Sequence, residues 1–303
     1  MSARDQVRLN GDPAVRELAP EELARLQRAL FAIYRDVRDA CARRGMDCFL
    51  FGGSALGAER HGGFIPWDDD MDLAMPRADC ERLESALEED FPGRYAVVAP
   101  RRVPAGPRAV PLRYPFLKVR RNGTEMLGAF DHPDERPGLS IDVFPLDAVP
   151  AGRFRRKIRG MLVDACVFLG GCVRRFRRTS RGERLSARSV RGALLLGARK
   201  TVGFVFSFFD EERWYALSHR IASAPCRTDG FVTAAQGSKR YAGEILPVPM
   251  VFPAGETVFC GEKCPTFHDV RGYLAKRYGP DWATPPPPEA RERHFVERFR
   301  GAP

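Results

Sequence analysis

Four carboxylates crowd into five residues of the segment Phe64-Ile-Pro-Trp-Asp-Asp-Asp-Met-Asp-Leu73: Asp68, Asp69, Asp70 and Asp72. Like charges at that spacing repel unless a cation sits among them. If Asp70–Met75 is a strand, alternation points Asp70 and Asp72 to one face, about 6–7 Å apart, where they can grip one Mg²⁺ from one side. Asp68 then stands at the strand's entrance as an outer contact, and Asp69 faces away. A solvated acidic turn is the plainer alternative. The apolar neighbours Phe64, Ile65, Trp67, Leu73 and Met75 place the acids at the edge of a core instead. An EF-hand loop is disfavoured, because its glycine and distal glutamate are missing.

Upstream, a strand over Asp47–Phe51 breaks at Gly52-Gly53-Ser54, and a short helix runs over Ser54–His61. Glycines let a backbone approach a phosphate, and a helix N-terminus offers unpaired N–H donors. Ser54 can cap the helix and contact a phosphate oxygen. A Gly-Gly-Ser turn, a helix and then Asp-x-Asp is the arrangement of the polymerase-β-like nucleotidyltransferase superfamily. Folds of that type take a third carboxylate from a neighbouring strand. Asp142 is the candidate, the one acid of the expected strand Ser140–Phe144 within the mostly apolar run Leu139-Ser-Ile-Asp-Val-Phe-Pro-Leu-Asp147. A buried acid there needs a partner: a metal shared with Asp70 and Asp72 or, in the competing reading, a cation such as Lys118. Arg60, His61 and Lys118 are further candidate phosphate contacts, with ordinary surface pairing as the alternative.

Around these residues the pattern predicts α/β elements. An amphipathic helix fits residues 20–44, with Leu23, Leu26, Leu30, Ile33 and Val37 on one face. A helix fits Asp79–Glu89, and strands fit Tyr95–Ala99, Phe116–Arg121 and Ser140–Phe144. The four prolines of 100–113 predict a loop. Helices are expected over 151–209, Asp210–Ser223 and His268–Tyr278, strand-like segments over 243–268, and a proline-rich tail with little periodicity from Asp281 on.

The 303 residues are 44% apolar and 29% charged, an ordinary globular balance that excludes disorder as the dominant state. The net charge of +10 is concentrated. Residues 151–200 hold 15 Lys and Arg against two acids, a net of +13, and the remainder is at −3. A nucleic-acid-binding surface spread over the whole chain is thereby disfavoured. Arginine runs alternating with apolar runs suggest helices lying on an anionic membrane surface, and a solvated helical insert is the alternative. The N-terminus has no apolar leader pattern and no run of 18 apolar residues occurs, so a cytoplasmic chain is expected, or one peripheral on the inner face of the plasma membrane. The eight cysteines read as free, buried residues. Cys260, Cys264 and His268 offer three zinc-type ligands and no fourth, so zinc is not the preferred reading.

The stretch GSALGAERHGGFIPWDDDMDLAMPRADCERL closely resembles the defining motif of the LicD family. IDVFPLD looks like that family's second block, and YLAKRYGPDWATPPPPEARERH like its C-terminal block, in which His294 matches the final His. Glu59 and Pro280 depart from the pattern, and 151–209 matches none of it. The resemblance implies a polymerase-β-like nucleotidyltransferase core, a mixed sheet flanked by helices, plus a basic helical insert. Residues 1–150 would form the core with its N-terminal helix, 151–223 the insert, and 224–303 the part that completes the core.

The resemblance also implies an enzyme that moves a phospho-alcohol, most simply phosphocholine, from a CDP-linked donor to a sugar hydroxyl of a cell-surface glycan or its lipid-linked precursor, as in lipopolysaccharide or teichoic acid assembly, releasing CMP. Fukutin-like proteins, similar over the acidic motif, are associated with ribitol-phosphate transfer. Carried onto this sequence, the catalytic residues are Asp70, Asp72 and Asp142. The metal ligands are Asp70, Asp72 and Asp68, for Mg²⁺ with Mn²⁺ as an alternative and no organic cofactor. Gly52, Gly53, Ser54, Arg60, His61, Trp67 and Lys118 bind substrate. A choline headgroup calls for an aromatic cage, for which Trp67, Trp214, Tyr241 and Trp282 are candidates. Two alternatives stay open: transfer of a nucleoside monophosphate from an NTP, and a non-catalytic membrane adaptor.

Overall fold

The computed structural model describes residues 14–99, 114–132, 138–291 and 294–300, with the backbone of 110–111. The proline-rich loop expected over 100–113 lies almost wholly outside the described residues.

Helix α1 (Pro20–Arg43) forms where the apolar spacing predicts it. Glu22 accepts from the Ala19 N–H at 3.0 Å, which settles one orphan donor of the first turn. Leu26, Leu30, Ile33 and Val37 are buried against the sheet. Strand β1 (Phe49–Leu50) follows, then α2 (Gly52–His61), β2 (Asp72–Pro76), α3 (Arg77–Asp90) and β3 (Tyr95–Ala99). Next come β4 (Val110–Pro111), β5 (Leu117–Arg121), β6 (Glu125–Gly128) and β7 (Ser140–Pro150).

The fold class is the expected α/β, a curled mixed sheet flanked by helices. The eight-stranded sheet runs β1-β2-β7-β5-β3-β4 and gains two more strands along β7, namely β8 (Thr228–Ala234) and then β9 (Ile245–Pro247). Strand β7 is its spine. Its first half lies between parallel β2 and antiparallel β5; its second half exchanges β5 for β8. That is why its burial is unbroken over 143–147, where the sequence shows an apolar run rather than alternation. Helices α1 and α3 pack against each other and against β7.

Residues 151–223 form helices α4 (Arg153–Arg177), α5 (Arg181–Ser186), α6 (Val190–Val205) and α7 (Glu211–Ala222). Helix α4 packs on α7 and α6. The apolar contacts there form small separate clusters, one around Val163, Ala222 and Tyr241 and another around Cys166, Val173 and Trp214. The chain then supplies α8 (Arg240–Gly243), α9 (Val248–Val251), the hairpin β10 (Gly255–Phe259)–β11 (Glu262–Thr266) and α10 (Val270–Tyr278).

Several boundaries differ from expectation. Helix α2 starts at Gly52 and β2 only at Asp72. The tail has a strand, β12 (Val296–Arg300), that pairs with β6 and bridges Arg16. Short edge strands such as these carry too few residues to show a period. The cysteines are free as expected, but Cys260 is exposed and Cys226 half-buried.

Candidate active site

Three elements meet at the acidic segment. Parallel pairing of β2 with β7 sets Asp72 directly beside Asp142, and antiparallel pairing of β5 sets Lys118 on the other side of Asp142. Neighbouring strands lie about 4.8 Å apart, so the two acids share one face at close range. The glycine turn backs onto them. Gly52 has φ of +54°, and a Cβ there would stand 2.7 Å from Asp72 Oδ2. A Cβ on Gly53 would stand 3.0 Å from Asp68 Oδ2. The turn is therefore a cradle between two carboxylates that only glycine leaves open.

The frame holding the acids is hydrogen-bonded throughout. The Asp72 N–H donates to Ser54 Oγ at 2.8 Å, and the Phe51 N–H donates to the Asp72 carbonyl at 3.0 Å. The Gly52 N–H donates to the Tyr273 hydroxyl at 3.0 Å, and the Ser54 N–H to the Phe51 carbonyl at 3.0 Å. Of the turn's first three N–H groups, only that of Gly53 has no protein acceptor among the described residues. Ser54 lies inside the first turn of α2, not at its cap, and its hydroxyl oxygen anchors β2.

The electrostatics follow from crowding in a confined site. Burial, then Asp142 and Asp68, push Asp72 up to about 8 against the opposing pull of Arg277 and Lys118. Asp70 is pushed well above the ordinary carboxylate range by the surrounding protein and by Asp68, Asp72, Asp69 and Asp142, although its side chain still reaches solvent. Asp142 is raised by burial despite Lys118, whose Nζ lies 2.6 Å from Asp142 Oδ1. The ion pair weighed for Asp142 from the sequence is thus present, and Asp72 is a neighbour of the same acid.

The expected ligand set is not gathered tightly. Because β2 begins at Asp72, strand alternation does not reach Asp70. Among the described residues, the grouping with metal-ligand spacing is Asp68, Asp69 and His294, whose ligand atoms lie within 4.8 Å of one another. His294 places Nδ1 at 2.6 Å from Asp69 Oδ1 and Nε2 at 3.4 Å from Asp68 Oδ1. Asp69, expected to face away, instead turns to His294. Hard carboxylate oxygens and a glycine cradle are donors and space that suit a divalent cation.

The other candidates are spread around this centre. Arg60 donates to the Trp282 carbonyl, and burial beside that cation lowers the His61 pKa. His61 meets Trp67 edge-on at 6.3 Å, and Arg291 caps the Trp67 ring at 4.1 Å. Trp67, Asp69, Arg291 and His294 line a cleft of about 190 Å³ under the C-terminal tail. Trp214 and Tyr241 belong to the α4–α7 clusters, whereas Lys118 lies over Tyr114 and Phe116 at 5.0 and 5.3 Å. Cys260, Cys264 and His268 are not brought together: Cys260 sits at the β10–β11 turn, Cys264 is buried in β11, and His268 is exposed beyond it.

Sequence reasoning passed over Arg277 and Tyr273. Arg277 clamps buried Glu244 at 2.6 Å and lies over the Phe51 ring at 5.0 Å, facing the acids from α10. Their signal was present in the C-terminal block YLAKRYGP, which contains both.

Comparison with known proteins falls on the same residues. The sequence model of the LicD/FKTN/FKRP nucleotidyltransferase domain matches residues 45–103. Lipopolysaccharide cholinephosphotransferase LicD of Haemophilus influenzae is 50% identical over 43 residues, 14% of this chain and 16% of that protein. Ribitol 5-phosphate transferase FKRP is 45% identical over 62 residues, 20% of this chain, covering 13% of the Mus musculus protein and 12% of the Homo sapiens one. The alignments thus span less than a fifth of each of these relatives. The glycine turn and the acidic strand both lie inside the matched residues, and over 45–103 this chain carries the nucleotidyltransferase-domain signature of the LicD family.

Proposed function

We propose that the chain is a transferase that moves a phospho-alcohol, phosphocholine in the simplest case, from a CDP-linked donor to a sugar hydroxyl, releasing CMP. The observation that carries this reading is the pairing of Asp72 with Asp142 on adjacent strands, backed by the Gly52–Gly53 cradle. Asp70 and Asp72, with Asp68 beside the cradle, would hold Mg²⁺ or Mn²⁺. A divalent cation held there supplies charge neutralisation on the diphosphate and favours departure of CMP.

The chain's own groups do the rest. The Gly53 N–H, at the start of α2, points an unpaired donor toward a phosphate oxygen. The Ser54 hydroxyl proton, Arg60, His61 and Trp67 line the donor side. Asp142 takes the proton of the attacking sugar hydroxyl. The new bond joins that oxygen to the phosphorus bearing the alcohol, and the bond from this phosphorus to the CMP oxygen breaks. Lys118, paired to Asp142, favours its ionised form against the burial that raises it, and so favours its taking that proton. In this reading 1–150 and 224–303 form the catalytic unit, 151–223 is an insert, and the enzyme works at the cytoplasmic face of a membrane on a glycan or its lipid-linked precursor.

The test is incubation with Mg²⁺ and CDP-choline, CDP-ethanolamine, CDP-glycerol or CDP-ribitol, with CMP read by mass spectrometry. Release of CMP from one donor, lost in Asp72→Asn, is the expected result. The nucleotidyltransferase signature favours a second reading, nucleoside monophosphate transfer; pyrophosphate released from CTP, with all four CDP-alcohols intact, would establish it instead. No turnover of any donor, with or without Asp72, would leave the adaptor.

A further inference from the structure

The acidic site makes no use of the basic insert, yet among the described residues the insert holds most of the exposed large apolar side chains. Helix α6 buries only Gly203. It leaves Val190 81% and Leu194 70% exposed, with Phe204 at 65%. Helix α4, joined to it where Phe176 meets Phe204 at 5.5 Å, leaves Phe154 76% exposed and Met161 61%. Large apolar side chains exposed in such number on two packed helices mark a contact surface, because water alone disfavours them.

The charge around this surface has one sign. From 184 to 209 there are five basic residues, Arg184, Arg188, Arg191, Arg199 and Lys200, and no acid. Beside it, a groove of about 660 Å³ between α4 and α7 repeats the pattern, with Leu162 and Ile221 in its wall and Arg155, Arg159, Arg220 and Arg227 among its lining. A second copy of this chain would bring the same positive field and be repelled. An anionic lipid surface complements both properties at once: acyl chains take the apolar side chains, and lipid phosphates take the guanidinium groups, whose stems snorkel past the apolar layer. No helix among the described residues is long and apolar enough to cross a membrane, so contact would be from one side.

We propose that the α4–α6 face docks this protein on an anionic lipid bilayer, with α6 lying in the headgroup plane. This goes beyond the catalytic reading and does not depend on it.

The full chain is sedimented with vesicles of phosphatidylcholine alone and of phosphatidylcholine mixed with phosphatidylglycerol. The protein pellets with the mixed vesicles, stays in solution with the neutral ones, and is released by salt. Arg191→Glu with Arg199→Glu weakens the vesicle affinity by at least about 25-fold, roughly fivefold per lost charge. Leu194→Ser with Val205→Ser also weakens it, at unchanged circular dichroism and melting temperature, since both side chains are exposed in the free protein. Absence of pelleting, equal pelleting on both vesicle types, or binding untouched by either pair of substitutions overturns the proposal. So does concentration-dependent self-association that Leu194→Ser abolishes, because the face would then bind a second copy.

Discussion

The acidic site and the α4–α6 face depart from ordinary folding in opposite ways. At the site, carboxylates crowd together beyond what Lys118 and Arg277 balance, and Asp72 is driven up to about 8. On the helical face, apolar side chains stand in water, and positive charge surrounds them. A stable fold avoids both arrangements unless a partner completes them. The partners must also differ: a compact cation at the first, an extended anionic surface at the second. Each region is therefore less favourable alone than its surroundings, and substitutions that cure it should cost function while sparing the fold.

Asp72→Asn is the sharpest way to break the comparison. CMP release should fall by about a thousandfold, the order expected on losing a preorganised electrostatic group. Stability should move the other way. The folded pKa of Asp72, about 8, lies above its unfolded value of 3.8. The folded state therefore binds the proton more tightly, and stability is lost as pH rises from 3.8 to about 8. Asparagine removes that loss, so the gain in melting temperature should be larger at pH 9 than at pH 4. Melting curves of both proteins at the two pH values check it; a lower melting temperature for the variant at pH 9 would show that the carboxylate is structurally required.

A nearby buried charge gives the control. Arg77 pairs with Asp147 through both carboxylate oxygens, the second at 2.7 Å, and its Nη2 lies 3.2 Å from His219 Nδ1. His219 Nε2–H donates to the Pro115 carbonyl at 2.8 Å, which leaves Nδ1 as the acceptor from Arg77. Here the charges are matched, so removing one should destabilise. Arg77→Met should cost about 3–5 kcal/mol in urea unfolding, the usual result of orphaning one member of a buried pair. Burial and Arg77 also push His219 down to about 3 from 6.5. Stability held by neutral His219 is present above pH 6.5 and lost as pH falls from there toward 3.

Much of the site was legible because its signals are local. Gly52-Gly53 and Asp68–Asp72 sit close in sequence, so their nearness could be read from a short window, although the strand alternation expected for Asp70 and Asp72 and the cap expected at Ser54 are not what the structure has. Asp142 was reachable because an acid in a mostly apolar strand demands a partner. The Asp72–Asp142 register, the Lys118 ion pair and the approach of Arg277 depend on which strands neighbour which, and a single sequence does not encode that order in any short window. His294 shows the same limit. It lies over 220 residues from Asp69, and the tail that carries it is held by the β12–β6 pairing, the bridge to Arg16 and the Arg291 stack on Trp67. The apolar runs of 151–209 were visible as helices, but which of their faces stayed uncovered was not, because packing partners decide burial.

A smaller effect sharpens the acidic side. Cation binding requires deprotonated carboxylates. With Asp72 at about 8 and Asp70 also raised, Mn²⁺ affinity should rise at least about tenfold per pH unit between pH 6 and 8, at least one proton being displaced per ion. Titration calorimetry across that range reads both the affinity and the proton release. A pH-independent affinity would remove Asp72 from the ligand set and favour the Asp68–Asp69–His294 grouping.

The smallest effect falls on the helical face, and its smallness is the point. Leu30→Ala in α1, fully buried, should cost about 2–5 kcal/mol through lost burial and the cavity left behind. Leu194→Ser in α6 should change stability by less than about 0.5 kcal/mol, because a side chain 70% exposed loses little packing. Chemical denaturation of the two variants side by side makes the comparison. A cost for Leu194→Ser approaching that of Leu30→Ala would mean that α6 packs within the free protein, and the argument that its apolar residues await a surface would fail with it.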